Sequence, residues 1–258
     1  MNSILNRSKF LPFLLLFGLI QTLPAQDVQG IVTASDFFDQ ISQRYLEIED
    51  YQAFLTITQE DSVMTGMLYH KRPNFLLIEF DEPEEQVIAV DGEKLIIYIP
   101  YLNVAMEQQL KPEEQQEATP AAIATGQGLE LMKNRYSIAY LDSQFPVPIE
   151  QEENEFGEAL ETEEETEAVE TDVSGEMVYK LKLEWRSIDE GFRQLTLSID
   201  QESLMIRRIS GVTSGFQEVQ LDFQNILINQ NLPEGKFRYE SPPSANVINN
   251  FIFEPEEE

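Results

Sequence analysis

Between Lys71 and Pro100 the chain reads KRPNFLLIEFDEPEEQVIAVDGEKLIIYIP, three short apolar runs divided by polar turns. Runs of this length bounded by Pro, Asp, Glu and Gly predict strands, with turns at Pro83 and at Asp91-Gly92. Leu76, Leu77, Ile78, Phe80, Val87, Ile88, Val90, Leu95, Ile96 and Ile97 put apolar side chains on both faces of the resulting sheet. Such a sheet needs a cover on one side or a cargo.

The rest of the chain divides in the same way. Thr33-Ala34-Ser35-Asp36 supplies capping side chains, and Phe37, Phe38, Ile41, Tyr45 and Ile48 recur at helical spacing, which predicts an amphipathic helix over 35–48. Residues 51–59 alternate as a strand, with Tyr51, Ala53, Leu55 and Ile57 on one side and Phe54 on the other. A hairpin through Asp61-Ser62 leads to a strand over 64–70, and another strand runs through Val104 and Met106 to Leu110. Thr119-Pro120 combines a cap with proline at the first helical position, opening a helix that a second short one over 129–134 completes. Residues 177–186, 192–200, 204–213 and 216–223 alternate as four more strands, with turns at Asp189-Glu190-Gly191, Asp200-Gln201-Glu202 and Ser214-Gly215.

The fold class this predicts is mainly β with some α: a curved antiparallel sheet of about ten strands, either closed as a barrel or wrapped around helices. The helix at 35–48 and the pair at 119–134 have apolar faces that need a surface, so the wrapped form is favoured. Parity then sorts the strands. With Glu79 outward, Leu76, Ile78 and Phe80 point inward; with His70 outward, Met67 and Tyr69 do. Ile88 and Val90 are assigned inward on the next strand.

Composition narrows the setting. At 258 residues with 42% hydrophobic content, one domain of ordinary size over 26–258 is expected. Before it, Arg7 and Lys9 precede an apolar run from Leu11 to Ile20, and Leu23-Pro24-Ala25 follows. This is the pattern of a secretory signal peptide, 1–25, cleaved near Ala25, and the run is shorter than the roughly 20 residues of a spanning helix. The chain has no cysteine, which removes disulfides, thiol chemistry and a lipid-modified cysteine anchor together. Its 47 acidic against 17 basic residues, a net charge of -30, exclude nucleic acid, whose phosphates call for clustered Lys and Arg. Much of the acid is local: 150–172 is rich in Glu, contains no Lys or Arg, and reads as a disordered insert in a hairpin loop.

Catalysis finds little support. His70 is the single histidine, Gly126-Gln127-Gly128 lacks the lysine of a phosphate loop, and Glu82, Glu84 and Glu85 crowd a turn where solvation is the ordinary outcome. No enzyme is expected.

The ordered landmarks Gly66, Lys71-Arg72-Pro73, the Pro83 turn, Asp91-Gly92, Tyr98-x-Pro100 and Thr119-Pro120 resemble the periplasmic outer-membrane lipoprotein carrier family, LolA. The likeness continues through Tyr136-Ser137-Ile138, breaks at the acidic insert, resumes at Tyr179 and ends at Lys236-Phe237-Arg238-Tyr239 with Pro242-Pro243. It implies an unclosed half-barrel whose lid helices cover a hydrophobic cavity for acyl chains. Met67, Tyr69, Leu76, Ile78, Phe80, Ile88, Val90 and Ile97 would line the cavity, and Pro120, Ala121, Ile123 and Ala124 would form the lid. Arg72 would latch the lid by donating to carbonyls in the segment 119–125, a task suited to a guanidinium with five donors and a permanent charge.

Ala121, Ala122 and Ala124 stand where relatives often carry bulkier residues. By the same resemblance the protein is a periplasmic monomer that carries acylated lipoproteins, loaded by an inner-membrane lipoprotein-release ABC complex and unloaded at an outer-membrane acceptor. It would bind no nucleotide, cofactor or metal itself. Two other readings stay open: an RseB-like periplasmic sensor of lipoproteins, and a carrier of free lipid or glycolipid.

Overall fold

Thr33 caps the first helix, α1 (Ala34–Glu47), its hydroxyl accepting from the Asp36 N–H at 3.1 Å. The helix buries Phe37, Phe38, Ile41 and Tyr45, the stripe its spacing anticipates. In the computed structural model, residues 32–110, 124–149, 175–186 and 192–251 are described, and all of them fall within one compact unit. The proposed signal peptide, the lid residues Pro120, Ala121 and Ile123, and the acidic insert lie outside the described residues.

After α1 come β1 (Asp50–Gln59), β2 (Ser62–Lys71), β3 (Phe75–Glu82), β4 (Val87–Asp91), β5 (Lys94–Ile99) and β6 (Val104–Gln109). The second helix, α2 (Gly126–Arg135), leads without a break into β7 (Tyr136–Tyr140). Then follow β8 (Val147–Pro148), β9 (Met177–Trp185), β10 (Phe192–Asp200), β11 (Ile206–Thr213), β12 (Glu218–Ile228) and β13 (Asn246–Asn249). The expected strands are all present. Those added are the short β7, β8 and β13, the last of which is exposed along its whole length and so carries no alternation to read.

The strands form one sheet in the order β13-β6-β5-β4-β3-β2-β1-β12-β11-β10-β9-β7, with β8 beside β9. Every pairing is antiparallel except β13 with β6. The path does not close, so the sheet is an open one, mainly β with two α-helices among the described residues.

Two clusters of buried side chains lie against this sheet. The larger joins Phe37, Phe38, Ile41, Tyr45 and Ile48 at α1 to Leu129 and Met132 of α2 and to strands from β1 to β5 and β9 to β12. A single cluster spanning both halves of the strand order requires the sheet to wrap around its helices. The smaller cluster joins Leu77, Val87, Ala89, Tyr98 and Ala105 on the other face to Leu232 and Phe237. Here the cover is a strap that follows β12. Asp50, 2% exposed, accepts from the Gln230 and Leu232 N–H groups at 2.7 and 3.1 Å, while Lys71 donates to the Leu232 carbonyl at 2.6 Å. Phe237 packs against Phe75 with the rings tilted, and Lys236 sits over the Tyr69 ring and pairs with Glu79. The two-faced apolarity of β3 to β5 is therefore answered by helices on one face and by this strap on the other.

Candidate functional site

The helix-covered face is fixed by register. Leu76, Ile78 and Phe80 of β3 pair with His70, Leu68 and Gly66 of β2, and Leu76 and Ile78 pair on their other side with Val90 and Ile88 of β4. Ile88 in turn pairs with Ile97 of β5. Directly opposed residues share a face, so Leu76, Ile78, Phe80, Ile88, Val90 and Ile97 all look toward α1 and α2, which for the first five is the face parity assigns. Four of the six are buried in the larger cluster, and Ile88 and Ile97 pack against it half-buried.

Met67 and Tyr69 do not join them. On β2 the inward positions are Gly66, Leu68 and His70, and Tyr69 packs on the strap side with Lys236 3.6 Å above its ring. The expectation placed His70 outward because it is polar. In the structure His70 is 6% exposed and lies 5.2 Å from the Tyr51 ring, to which it is also paired in register. Gly66 further hides the alternation: a Cβ there would come within 2.2 Å of the Glu79 carbonyl oxygen, so no side chain marks the inward face at that position.

Polar ties cross the apolar face at one end, where β1 begins and β2 finishes. Arg72 directly follows β2, its N–H donating to the Glu49 carbonyl at 2.9 Å and its guanidinium donating to the carbonyl of Leu46 in the last turn of α1. A cation on the carbonyls of a helix C-terminus is favourable for both partners. The expected partner of Arg72 lay in 119–125. Within that segment only Ala124 and Thr125 are described, and the Ala124 carbonyl is taken by Tyr51, whose hydroxyl donates to it at 2.8 Å within the core. Sequence gives no cue for this bond, because Tyr51 reads simply as one apolar position in an alternating strand.

The helices meet above these ties. Gly126 opens α2 against Leu46, whose Cδ2 a Cβ would approach to 2.8 Å, so glycine permits the close contact. Thr125 caps α2, accepting from the Gly128 N–H at 3.0 Å. Beneath, Tyr45, Tyr51 and His70 pack together, with the Tyr45 and Tyr51 rings perpendicular at 6.3 Å and the Tyr45 hydroxyl accepting from the Ile206 N–H at 3.0 Å. Burial pushes the Tyr51 hydroxyl well above its ordinary pKa, so it stays a donor. Burial, helped by the Arg72 charge and opposed by Asp50, lowers His70 to about 4. Its Nδ1 has no hydrogen-bond partner.

On the opposite face a groove of about 580 Å³ is lined by Thr58, Thr196, Ser210, Gln194, Gln220 and the loop around Phe216. Its floor is polar. It is separate from the apolar face under the helices.

Residues 54–145 match the family model of the outer membrane lipoprotein carrier protein LolA. The chain is 26% identical over 216 residues to the outer-membrane lipoprotein carrier protein of Hahella chejuensis (strain KCTC 2396), covering 81% of this chain and 87% of that one. Among solved structures, an uncharacterized conserved protein from Thermus thermophilus aligns with 13% identity and a TM-score of 0.48, covering 82% of this chain and 98% of the other. A LolA superfamily protein from Nitrosomonas europaea aligns at 12% identity and a TM-score of 0.39, over 81% and 98% of the two chains. The Pseudomonas aeruginosa MucA/MucB complex contains a chain matched at 12% identity and a TM-score of 0.46, over 83% of this chain and 63% of that one. The family resemblance carried by Gly66, Lys71-Arg72-Pro73 and Asp91-Gly92 is borne out, and those residues fall within the matched segment.

Proposed function

We propose that the protein is a periplasmic carrier that shields the acyl chains of lipoproteins between the inner and outer membranes, and that it is not an enzyme. The observation that supports this most directly is a continuous apolar sheet face covered by two helices that polar ties hold down at one end. The polar ties are few and directional, while the rest of the cover is held by apolar packing that hydrocarbon cargo could replace in kind. In the closed form the inward side chains of β1 to β5 and β9 to β12 pack on α1 and α2; lifting the helices exposes that face to hydrocarbon cargo.

The energetics suit a carrier. Each methylene moved from water to such a face is worth roughly 0.8 kcal/mol, so a long acyl chain would be held very tightly if nothing competed. Closure competes for the same face, and cargo affinity is reduced by whatever the closed form is worth. Arg72, by stabilising the closed form through Leu46, makes release possible. Loading by an inner-membrane release complex and delivery to an outer-membrane acceptor complete the cycle.

Native mass spectrometry of the protein isolated from its own periplasm tests this reading. A bound acylated protein supports it. A free lipid or glycolipid would redirect it to lipid transport, and an unliganded protein that also takes up no lipidated peptide in vitro would refute it.

A further inference from the structure

Tyr51 and Arg72 stand on neighbouring strand ends, since Tyr51 pairs with His70 and Arg72 lies two residues beyond. Each donates to a main-chain carbonyl, but on different segments: Arg72 to Leu46 in α1, and Tyr51 to Ala124, immediately before the cap of α2. These two segments touch through Leu46 and Gly126. Hence the junction of the helices is fastened from below at two points, one on either side of their contact.

We propose that the Tyr51 hydroxyl is a second tie of the cover, acting on α2 as Arg72 acts on α1, and that it sets the threshold for hydrocarbon to occupy the apolar face. This rests on the carrier reading and extends it to a residue with a separate point of action. The physical reason is the chemistry of the cargo. Tyr51 is 2% exposed and Ala124 is 1% exposed, so both ends of their 2.8 Å bond lie away from water. A hydrocarbon chain offers neither donor nor acceptor. One that slides beneath Ala124 leaves the hydroxyl and the carbonyl both unpaired in an apolar setting, unless α2 shifts far enough for both to reach solvent. The bond therefore makes partial occupancy unfavourable and couples binding to lifting of α2. Tyr51 is held ready for this task by its own surroundings, with His70 tilted against one side of the ring and the edge of Tyr45 against it. Its raised pKa keeps the proton on the hydroxyl.

Tyr51→Phe removes the donor and leaves the ring and its packing. Two readings of the full-length variant are compared with the parent: amide hydrogen exchange across Gly126–Arg135, and the affinity of a fluorescent fatty-acyl probe. Exchange in α2 is expected to accelerate on the order of ten-fold while β9 to β11 keep parental rates, and the probe is expected to bind more tightly by a similar factor. A purely structural tyrosine predicts general loosening, with exchange in β9 to β11 rising together with that in α2, and that outcome overturns the tie even if the probe binds more tightly, because a loosened core also takes up hydrophobic probes. Unchanged exchange in α2 overturns the tie, as does faster exchange accompanied by equal or weaker probe binding. Faster exchange in α2 with no probe binding to parent or variant leaves the tie in place and removes the carrier reading instead.

Discussion

His70 predicts a specific acid sensitivity. Its imidazole is 6% exposed beneath the helices, with Nδ1 unpartnered, the Arg72 guanidinium nearby and Asp50 acting in the opposite sense. Its pKa is about 4 in the folded protein against 6.5 for the free side chain. A folded-state value below the unfolded one means that the unfolded chain takes up a proton first as pH falls. Stability is unaffected by His70 well above pH 6.5 and is lost progressively between 6.5 and 4. With these two values the loss is on the order of 1 kcal/mol at pH 6, about 2 kcal/mol at pH 5 and about 3 kcal/mol at pH 4. The comparison is between the parent and His70→Leu, which fills the site with a group that does not titrate and leaves every carboxylate in place. Urea unfolding, followed through the fluorescence of Trp185, the single tryptophan, gives the stability at each pH. For an unfolding slope of about 2 kcal/mol per molar urea, the parent midpoint should fall by about 1 M more than that of the variant between pH 7 and pH 5. Parallel pH dependences in the two proteins would refute the assignment of His70 to the buried, neutral face.

Three further outcomes are expected. Ile78→Glu places a carboxylate on the helix-covered face, where Ile78 is 1% exposed; it should cost several kcal/mol or charge-neutralise, and a folded variant that binds an acyl probe as well as the parent would contradict the role of that face. Arg72→Leu removes the tie to Leu46 and weakens closure by about 1–3 kcal/mol; loading from inner-membrane vesicles should persist while transfer to outer-membrane vesicles slows, and unchanged transfer counts against the latch. Phe237→Ala empties the strap's anchor and should cost about 3–5 kcal/mol in thermal or urea unfolding without changing probe affinity in the remaining folded protein; a loss below about 1 kcal/mol would show that the strap is not a second core.

Much of the sheet was legible because turn signals recur from Tyr51 onward and alternation marks β1 and the strands from β9 to β12. Leu76, Ile78 and Phe80 were sorted correctly by one charged neighbour, Glu79, which is exposed. The same logic failed on β2. There the polar residue that set the parity, His70, is buried against Tyr51, Gly66 has no side chain to read, and the outward Tyr69 looks like core because the strap covers it. Polarity is a guide to face only where the outward face keeps its usual solvent, and along β2 the strap takes much of it away. Tertiary hydrogen bonds were illegible altogether: the partners of Arg72, Tyr51 and Asp50 are main-chain groups, which every sequence supplies in equal measure at every position.

The strap also sets an order of events as the chain emerges, amino end first, into the compartment where it folds. Asp50 waits for amides at Gln230 and Leu232, so the face bearing Leu77, Val87, Ala89 and Tyr98 has no cover until the chain beyond β12 has emerged. The helix-covered side has its first partner already made, because α1 precedes every strand. A chain that has not yet delivered the strap therefore leaves the face of β3 to β6 bare, a template for association with other unfinished copies. Completion of the fold is a late event at this end, and a chain interrupted before Phe237 would be expected to partition to aggregates or proteases even with α1, α2 and the apolar face in place.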